Sequence, residues 1–511
     1  MTRSSILYQN SQNTVFLLDI PTSIALAQDL SSIQQEFLSD SAKIHLNKSP
    51  SPRNKNASVR RLLSSAPLRN PFPGSTEPKT DAARAKVLQR IPVSERGFHD
   101  VISPLVIDAL HEIREGLHGH DEWCLDRIAL MHGRGRDLRT QGEGSLGKRR
   151  RNEKDSNGND DCRFEAGGYT ASTMLGKPTK PELDNPPLIL SAGSNLFDSM
   201  SSLCNLVVRN TSPEHAIVRV HCALQRPDDS TQSECAGHHH HTYDVPPLSS
   251  FLLCRLHISQ SSMRPNRSTN PIPGLPRHQK FDLILLDPPW LNRSVRRSGH
   301  YHTQNYMEGG LLTQCIRDIL RVHLQDIRQN LQSDSPGDFL PPRKLNEKKG
   351  QKPIAAMWIT NSARARKAAY DAIQGAGLSV CEEWVWIKTT TNGDPITPLN
   401  GLWRKPYEVL IIGMKQQHQQ PIDPLETEGN SGVIRRFIAA VPDVHSRKPN
   451  LREIFEKLFF ADASTLGDSI AYSALEVFAR NLTSGWWACG DEALKFNSEE
   501  WWVDGDDASL I

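Results

Sequence analysis

Hydrophobic residues along this chain come in short runs set between long polar stretches, and the sharpest run ends on an acid. In FDLILLDPPW the residues Leu283 to Leu286 are continuously apolar, which predicts a buried strand. Asp287-Pro288-Pro289 stops it, because two prolines hold the chain extended and supply no N–H donors. A carboxylate therefore stands at the carboxyl tip of a buried strand, where open α/β sheets place their ligands. Upstream, the spacing in VISPLVIDALHEIREGL, within residues 96–133, predicts a helix broken at Pro104. Residues 187–222 read as a helix through NLFDSMSSLCNLV and then a strand in AIVRVHC, and residues 1–30 as a short strand-rich opening. LREIFEKLF, from Leu451, predicts a further helix.

The polar stretches divide the chain. Residues 40–95, rich in Ser, Pro, Asn and Arg, read as a disordered linker. Three insertions of loop composition, 224–243, 258–278 and 329–352, interrupt the C-terminal half, and Arg134 to Asp161 is polar and charged. The divisions expected are an N-terminal segment (1–39), the linker (40–95), an accessory region (96–245), a principal domain (246–500) and a tail (501–511). No internal repeat is visible.

Composition narrows the function classes. The 511 residues suffice for about two or three domains. Net charge is only +2, so affinity for nucleic acid must come from local patches. Mean hydropathy of −0.50 describes a soluble chain with extensive loops. No apolar stretch reaches the length of a membrane span, and TVFLLDI, interrupted by Asp19, lacks the layout of a secretory signal. The nine cysteines form no CxxC pair, which argues for reduced thiols in the nucleus or cytosol and against a structural zinc. His238 to His241 has no second ligand cluster, so no metal is expected there. Lys148-Arg149-Arg150-Arg151 reads either as a nuclear-import signal or as a solvated basic loop. Walker A, HExxH and GxSxG patterns are missing, and GRGRD (Gly133 to Asp137) lacks a preceding strand.

An acid, carbonyls beside prolines, and Trp290 make an acceptor-only pocket with an aromatic face. That suits a flat substrate bearing an exocyclic amine. DPPW after an apolar strand resembles the signature of the adenine-N6 methyltransferases that use S-adenosylmethionine. The blocks NRSVRRS, MWITN, EWVWIKTTTNGDPI, KPYEVLIIG, VPDVHSRKP and LEVFARNLTSGWWACGDEALKF follow in order. That ordered set resembles the methyltransferase-like protein 4 branch over roughly residues 246–500. The resemblance implies an α/β, Rossmann-like methyltransferase domain in permuted motif order, with a mixed α/β N-terminal accessory region and disordered insertions. It further implies N6-methylation of adenosine in small nuclear RNA carrying 2′-O-methyladenosine, or of adenine in DNA.

The N6 lone pair of adenine is delocalised into the ring, so the amine is a weak nucleophile. By resemblance, the Asp287 carboxylate and Pro288 carbonyl would accept its two hydrogens and stabilise the developing positive charge. Pro289 completes the catalytic turn, and Trp290 would wall the base. LEVFARN resembles the strand and turn that hold the cofactor, with Ala479 where a Gly is expected. Arg480 and Asn481 would face its ribose hydroxyls or methionine carboxylate. Lys448 would contact the cofactor carboxylate or hold Asp287 ionised. Asp491 and Glu492 match positions that hydrogen-bond the cofactor adenosine, although relatives carry an amide at the first. FLLCRL resembles the strand that ends in an acidic Asp-Ile pair on the cofactor adenine. Here Arg255-Leu256 stands instead, so either Leu256 contacts through its backbone, the register shifts, or affinity falls.

For the substrate, Arg293, Arg296 and Arg297 would hold phosphates beside the pocket while Tyr301 stacks on unpaired bases. Asn292 is assigned to a sugar, and Lys405 to the start of a neighbouring strand, where Tyr407 and Glu408 read as framework. The N6 amine is reachable only from an unstacked base, so a single-stranded or flipped-out adenosine is expected. Two other readings stay open: a DNA adenine methyltransferase, and a binding subunit that kept the fold without the chemistry. No obligate protein partner is inferred.

Overall fold

The computed structural model describes residues 4–31, 60–73, 77–117, 122–129, 186–221, 240–256, 270–290, 310–325, 352–415, 432–460 and 472–503. Its centre is one twelve-stranded mixed sheet, the strands being numbered along the chain. In spatial order they are β1 (Ile6–Gln9), β2 (Val15–Leu18), β15 (Ile434–Ala440), β13 (Ser379–Lys388), β14 (Tyr407–Met414) and β12 (Ile354–Ile359). Then come β11 (Leu283–Leu286), β16 (Ala474–Val477), β17 (Trp487–Gly490), β10 (Ser250–Leu253), β7 (Val207–Arg209) and β5 (Leu188–Ile189). Two small sheets flank it. One sets β3 (Arg61–Ser64) between β18 (Trp502–Val503) and β4 (Ile128–Ala129), the other β8 (Ala216–His221) between β6 (Gly193–Phe197) and β9 (His240–Val245).

The five strands from β12 to β10 all run parallel, and β14 lies antiparallel between β12 and β13. Parallel strands covered on both faces need continuous apolar sequence, which β11 and β12 supply. Ile284 and Leu286 pack toward Ile316, Ile319 and Ile373, contributed by the helices Leu311–His323 and Ala363–Gly375. Leu283 and Leu285 face the other way, toward Ile24, Ile454 and Phe455.

Several expectations are corrected. Residues 60–73 and 77–95 are no linker: they form β3, the helix Asp81–Leu88 capped by the Thr80 hydroxyl, and the start of the helix Val93–Gly116. Their partners lie far off in the chain, as when Leu62 of β3 pairs with Trp502, so local composition could not announce them. Pro104 does not break the long helix. It sits on the exposed side, while Ile102, Val106, Ala109, Leu110 and Ile113 keep the opposite face buried. NLFDSMSSLCNLV is not one helix but passes from β6 through the short 3-10 turn Met200–Leu203 to β7, because each strand finds a ladder. Nor does the fold divide at residue 245, since β1, β2, β5 and β7 extend the principal sheet. In the insertions expected at 224–243 and 258–278, His240 and His241 enter β9, and Ile272 and Leu275 are buried core. Trp501 and Trp502 belong to the fold rather than to a tail. Lys148 to Arg151, His238 and residues 326–351 lie outside the described residues.

Candidate active site

β11 and β16 are parallel neighbours with Leu286 opposite Val477, so the residues that follow each strand emerge together at the carboxyl edge. The Asp287 N–H donates to the Val477 carbonyl at 3.2 Å, carrying the ladder past the strand end. Its carboxylate stands between two cations: Oδ1 is 3.5 Å from Lys448 Nζ and Oδ2 is 3.3 Å from Arg480 Nη1. Each cation has a further anion behind it. Lys448 donates to Glu408 at 2.6 Å, and Glu408 accepts from Lys388 at 2.5 Å. On the other side, Arg480 Nε donates to Glu492 at 3.1 Å, and Lys495 reaches the same carboxylate at 3.0 Å.

The result is a row of alternating charge, Lys388–Glu408–Lys448–Asp287–Arg480–Glu492–Lys495. Burial opposes the charge on Glu408, yet Lys388 and Lys448 hold its carboxyl well below the usual range. Burial likewise opposes the Lys448 ammonium, but Asp287 and Glu408 raise its pKa. Glu492 is lowered against its burial by Lys495 and Arg480. Such a row is favourable only while every member stays paired.

The row borders a cleft of about 480 Å³, partly open to solvent and walled by Asp287, Trp358, Ser446, Lys448, Glu476, Phe478, Arg480 and Asn481 among others. Two walls are strained backbone: Ser446 has φ +65 and Phe478 φ +62, a left-handed conformation that costs a side-chain-bearing residue about 1–3 kcal/mol. Arg480 steadies the first by donating to the Ser446 carbonyl at 3.2 Å. The glycine that lets backbone crowd this turn is Gly490, at φ +147, where an added Cβ would meet Phe478 Cα at 3.2 Å. Ala479 is buried and donates to the Cys489 carbonyl at 3.1 Å.

Trp290 is fixed at both ends. Its indole N–H donates to the Trp358 carbonyl at 2.7 Å and its backbone N–H to the Pro288 carbonyl at 2.8 Å, which leaves that carbonyl a second lone pair. Pro288 is buried and Pro289 half-buried between them. Glu476, on β16, was not anticipated from sequence. Burial pushes its carboxyl up to about 8, neighbouring Asp287 adds to this, and Arg480 opposes it. The signal was there to read, since Glu476 is the one charged residue in an otherwise apolar strand.

Other expected residues lie elsewhere. Leu256 is buried, and Leu256 and Asp491 follow the paired strand ends Leu253 and Gly490, beside the cleft rather than lining it. Burial and Glu492 raise the Asp491 carboxyl, and Arg255 acts against them. Lys405 donates to the Leu399 carbonyl at 2.8 Å, which ties it to its own loop instead of the cleft, and burial lowers its pKa. The Tyr407 hydroxyl pairs with His99 Nδ1 at 2.6 Å, a framework contact. Asn292, Arg293, Arg296, Arg297 and Tyr301 lie outside the described residues.

Residues 339–492 match the family model MT-A70. That span holds Lys448, Glu476, Arg480, Asn481, Asp491 and Glu492 and begins downstream of Asp287. The chain is 36% identical over 231 residues, 44% of its length and 55% of the relative's, to "N6-methyladenosine RNA methyltransferase MTA1" of Cryphonectria parasitica. It is 28% identical over 264 residues, 51% of its length and 45% of the relative's, to "N(6)-adenine-specific methyltransferase METTL4" of Homo sapiens. A "DNA N6-methyl methyltransferase" of Caenorhabditis elegans is 26% identical over 223 residues, 43% of this chain and 47% of that one. The chain thus spans about half the length of the curated relatives it matches. A cleft at parallel strand tips, walled by residues of the matched span, agrees with these similarities: the chain carries a domain of the MT-A70 family.

Proposed function

We propose that this protein transfers a methyl group from S-adenosylmethionine to N6 of an adenine in unstacked RNA. The observation that carries the reading is Asp287, an acid at a parallel strand tip, held between Lys448 and Arg480 at the mouth of a cleft. The donor set fits the cofactor. Arg480 and Lys448 offer cations to its carboxylate, Asp287 and Glu476 offer acceptors to its ammonium, and Asn481 offers an amide to its hydroxyls. When bound, the cofactor supplies an electrophilic methyl on a sulfonium. A Rossmann-like order permuted so that the cofactor strand comes late in the chain is supported by β16, which follows β11 in sequence and stands beside it in the sheet.

In this reading the Asp287 carboxylate and the Pro288 carbonyl accept the two N6 hydrogens. They favour a pyramidal nitrogen and offset the positive charge that develops on it. Trp290, anchored through Trp358, presents its face to the base and limits its tilt. The remaining barrier reduction comes from alignment, worth up to ~7–11 kcal/mol when reacting atoms are held in line. The ammonium product sheds its proton readily, so no separate base is needed.

RNA is preferred because the Cryphonectria parasitica and Pyricularia oryzae relatives, at 36% and 33% identity, are named as RNA methyltransferases, and the more distant Caenorhabditis elegans protein as a DNA enzyme. Small nuclear RNA with 2′-O-methyladenosine is the specific substrate proposed, with a nuclear location through Lys148 to Arg151. Matched RNA and DNA oligonucleotides incubated with methyl-labelled cofactor test this. RNA should be labelled in preference, and Asp287→Asn should lower labelling by about 10²–10³-fold. A variant as active as the native protein would refute the role of Asp287. Arg255 favours a second reading, a nucleic-acid-binding protein without chemistry. Calorimetric titration that finds no cofactor binding would support that one instead.

A further inference from the structure

The loop 389–406 joins β13 to β14 and springs from the cleft rim, since Lys388 and Glu408 at its two ends belong to the charged row. Residues 68–73 and 77–84 lie along this loop as a strap. The Thr391 N–H donates to the Leu68 carbonyl at 2.9 Å and the Phe72 N–H to the Ile396 carbonyl at 2.8 Å. Farther along, the Arg84 guanidinium donates to the Asn400 carbonyl at 3.0 Å. Glu77 accepts the backbone N–H groups of Leu402 and Trp403 at 3.0 and 3.4 Å. Lys405 closes the loop from within through the Leu399 carbonyl.

Strap and loop are joined largely through main chain, and large side chains face outward. Phe72 is 51% exposed and Trp403 54% exposed, among the largest exposed apolar groups described. Arg69, Lys79 and Arg404 are exposed beside them, while of the strap's two acids Glu77 is taken up by backbone donors and Asp81 sits in the first turn of its helix. The adjoining helix Asp81–Leu88 buries none of its residues and adds Lys86 to the same basic stretch. Exposed aromatics interleaved with cations suit one kind of partner above others: a polyanion with unpaired aromatic faces.

We propose that this strap-and-loop surface is a platform for single-stranded nucleic acid. Phe72 and Trp403 stack on unpaired bases, and Arg69, Lys79 and Arg404 hold phosphates, so that a strand is presented to the cleft from which the loop rises. The platform rests on the methyl-transfer reading for its destination, but not for its binding.

The test is fluorescence anisotropy of a labelled single-stranded RNA of about 20 nucleotides, long enough to span several stacking sites. Phe72→Ala combined with Trp403→Ala should weaken binding roughly 10-fold or more, the loss expected for removed base–aromatic stacking. Arg69→Glu with Arg404→Glu should weaken it and flatten its dependence on salt. Cofactor binding by calorimetry and methylation of an adenine trinucleotide should persist in both. Thermal unfolding checks the fold, and Arg404→Glu alone, a surface change, supplies the readout if a double variant fails to fold. Native-like RNA affinity in the folded variants would overturn the platform and leave the methyl-transfer reading intact. RNA binding that is lost with Trp403, in a protein that methylates no adenine, would uphold the platform and sink the other reading.

Discussion

Lys448 bridges two carboxylates, Asp287 at 3.5 Å and Glu408 at 2.6 Å, and so couples the candidate catalytic acid to a group on another strand. Lys448→Met strips a cation from both, and an uncompensated buried charge costs about 3–5 kcal/mol. Urea unfolding should show a loss of that order. Adding Glu408→Gln should restore much of the stability while methyl transfer stays depressed. Glu476 gives a pH signature. Its carboxyl is raised to about 8 in the folded protein, so the native state holds the proton more tightly than the unfolded chain. The stability this contributes is present below the ordinary carboxyl range and is lost as pH rises through 8. Glu476→Gln should therefore melt higher than the native protein at pH 9, with a smaller gap at pH 6; an equal gap at both would refute the assignment. Asp287 was legible because a strand, an acid and two prolines are all local. Glu476 was not, and Glu408 was legible only as framework, because their chemistry depends on burial and on residues distant in the chain.

Among the elements, β11 was readable from its apolar run and β16 only through the resemblance of LEVFARN, and the geometry of the turn beyond β16 was not readable from either. A small residue was expected within that turn, at Ala479, yet the turn bends through the left-handed Phe478, and the space is made by Gly490 on β17. Gly490→Ala should cost about 1–3 kcal/mol, since both its φ and its contact with Phe478 Cα are unfavourable to a side chain. Cofactor affinity should fall with it in calorimetry, and native affinity would remove the turn from the site. The helix Val93–Gly116 and the segment Gly193–Phe197 were misjudged for opposite reasons. Pro104 is tolerated where its helix face is solvent-exposed, and a helix-like spacing yields where a neighbouring strand offers a ladder.

For the whole molecule, the N-terminal residues are part of the principal sheet. Phe16, Leu17 and Leu18 of β2 are fully buried, and Arg452 holds the carbonyls of Leu26, Ala27 and Asp29 at the end of the helix Ile20–Gln28. Deleting residues 1–31 should abolish cooperative unfolding rather than trim an appendage, as circular dichroism melts would show. His215 fastens the same region, 2.8 Å from Asp244 of β9 and 3.6 Å from Asp29. Burial works against its charge, but the two carboxylates raise its pKa to about 9. That support is fully present below pH 6.5 and fades as pH passes 9, so the melting gap between native protein and His215→Asn should narrow over that window. The strand order carries a further consequence, for synthesis. Phe16 must pair with Ile438, and Phe251 with Ala488, so a nascent polypeptide keeps apolar edges waiting while more than two hundred further residues leave the ribosome. Partners so remote in sequence make folding slow and leave intermediates prone to aggregate, which predicts a strong dependence on chaperones during expression.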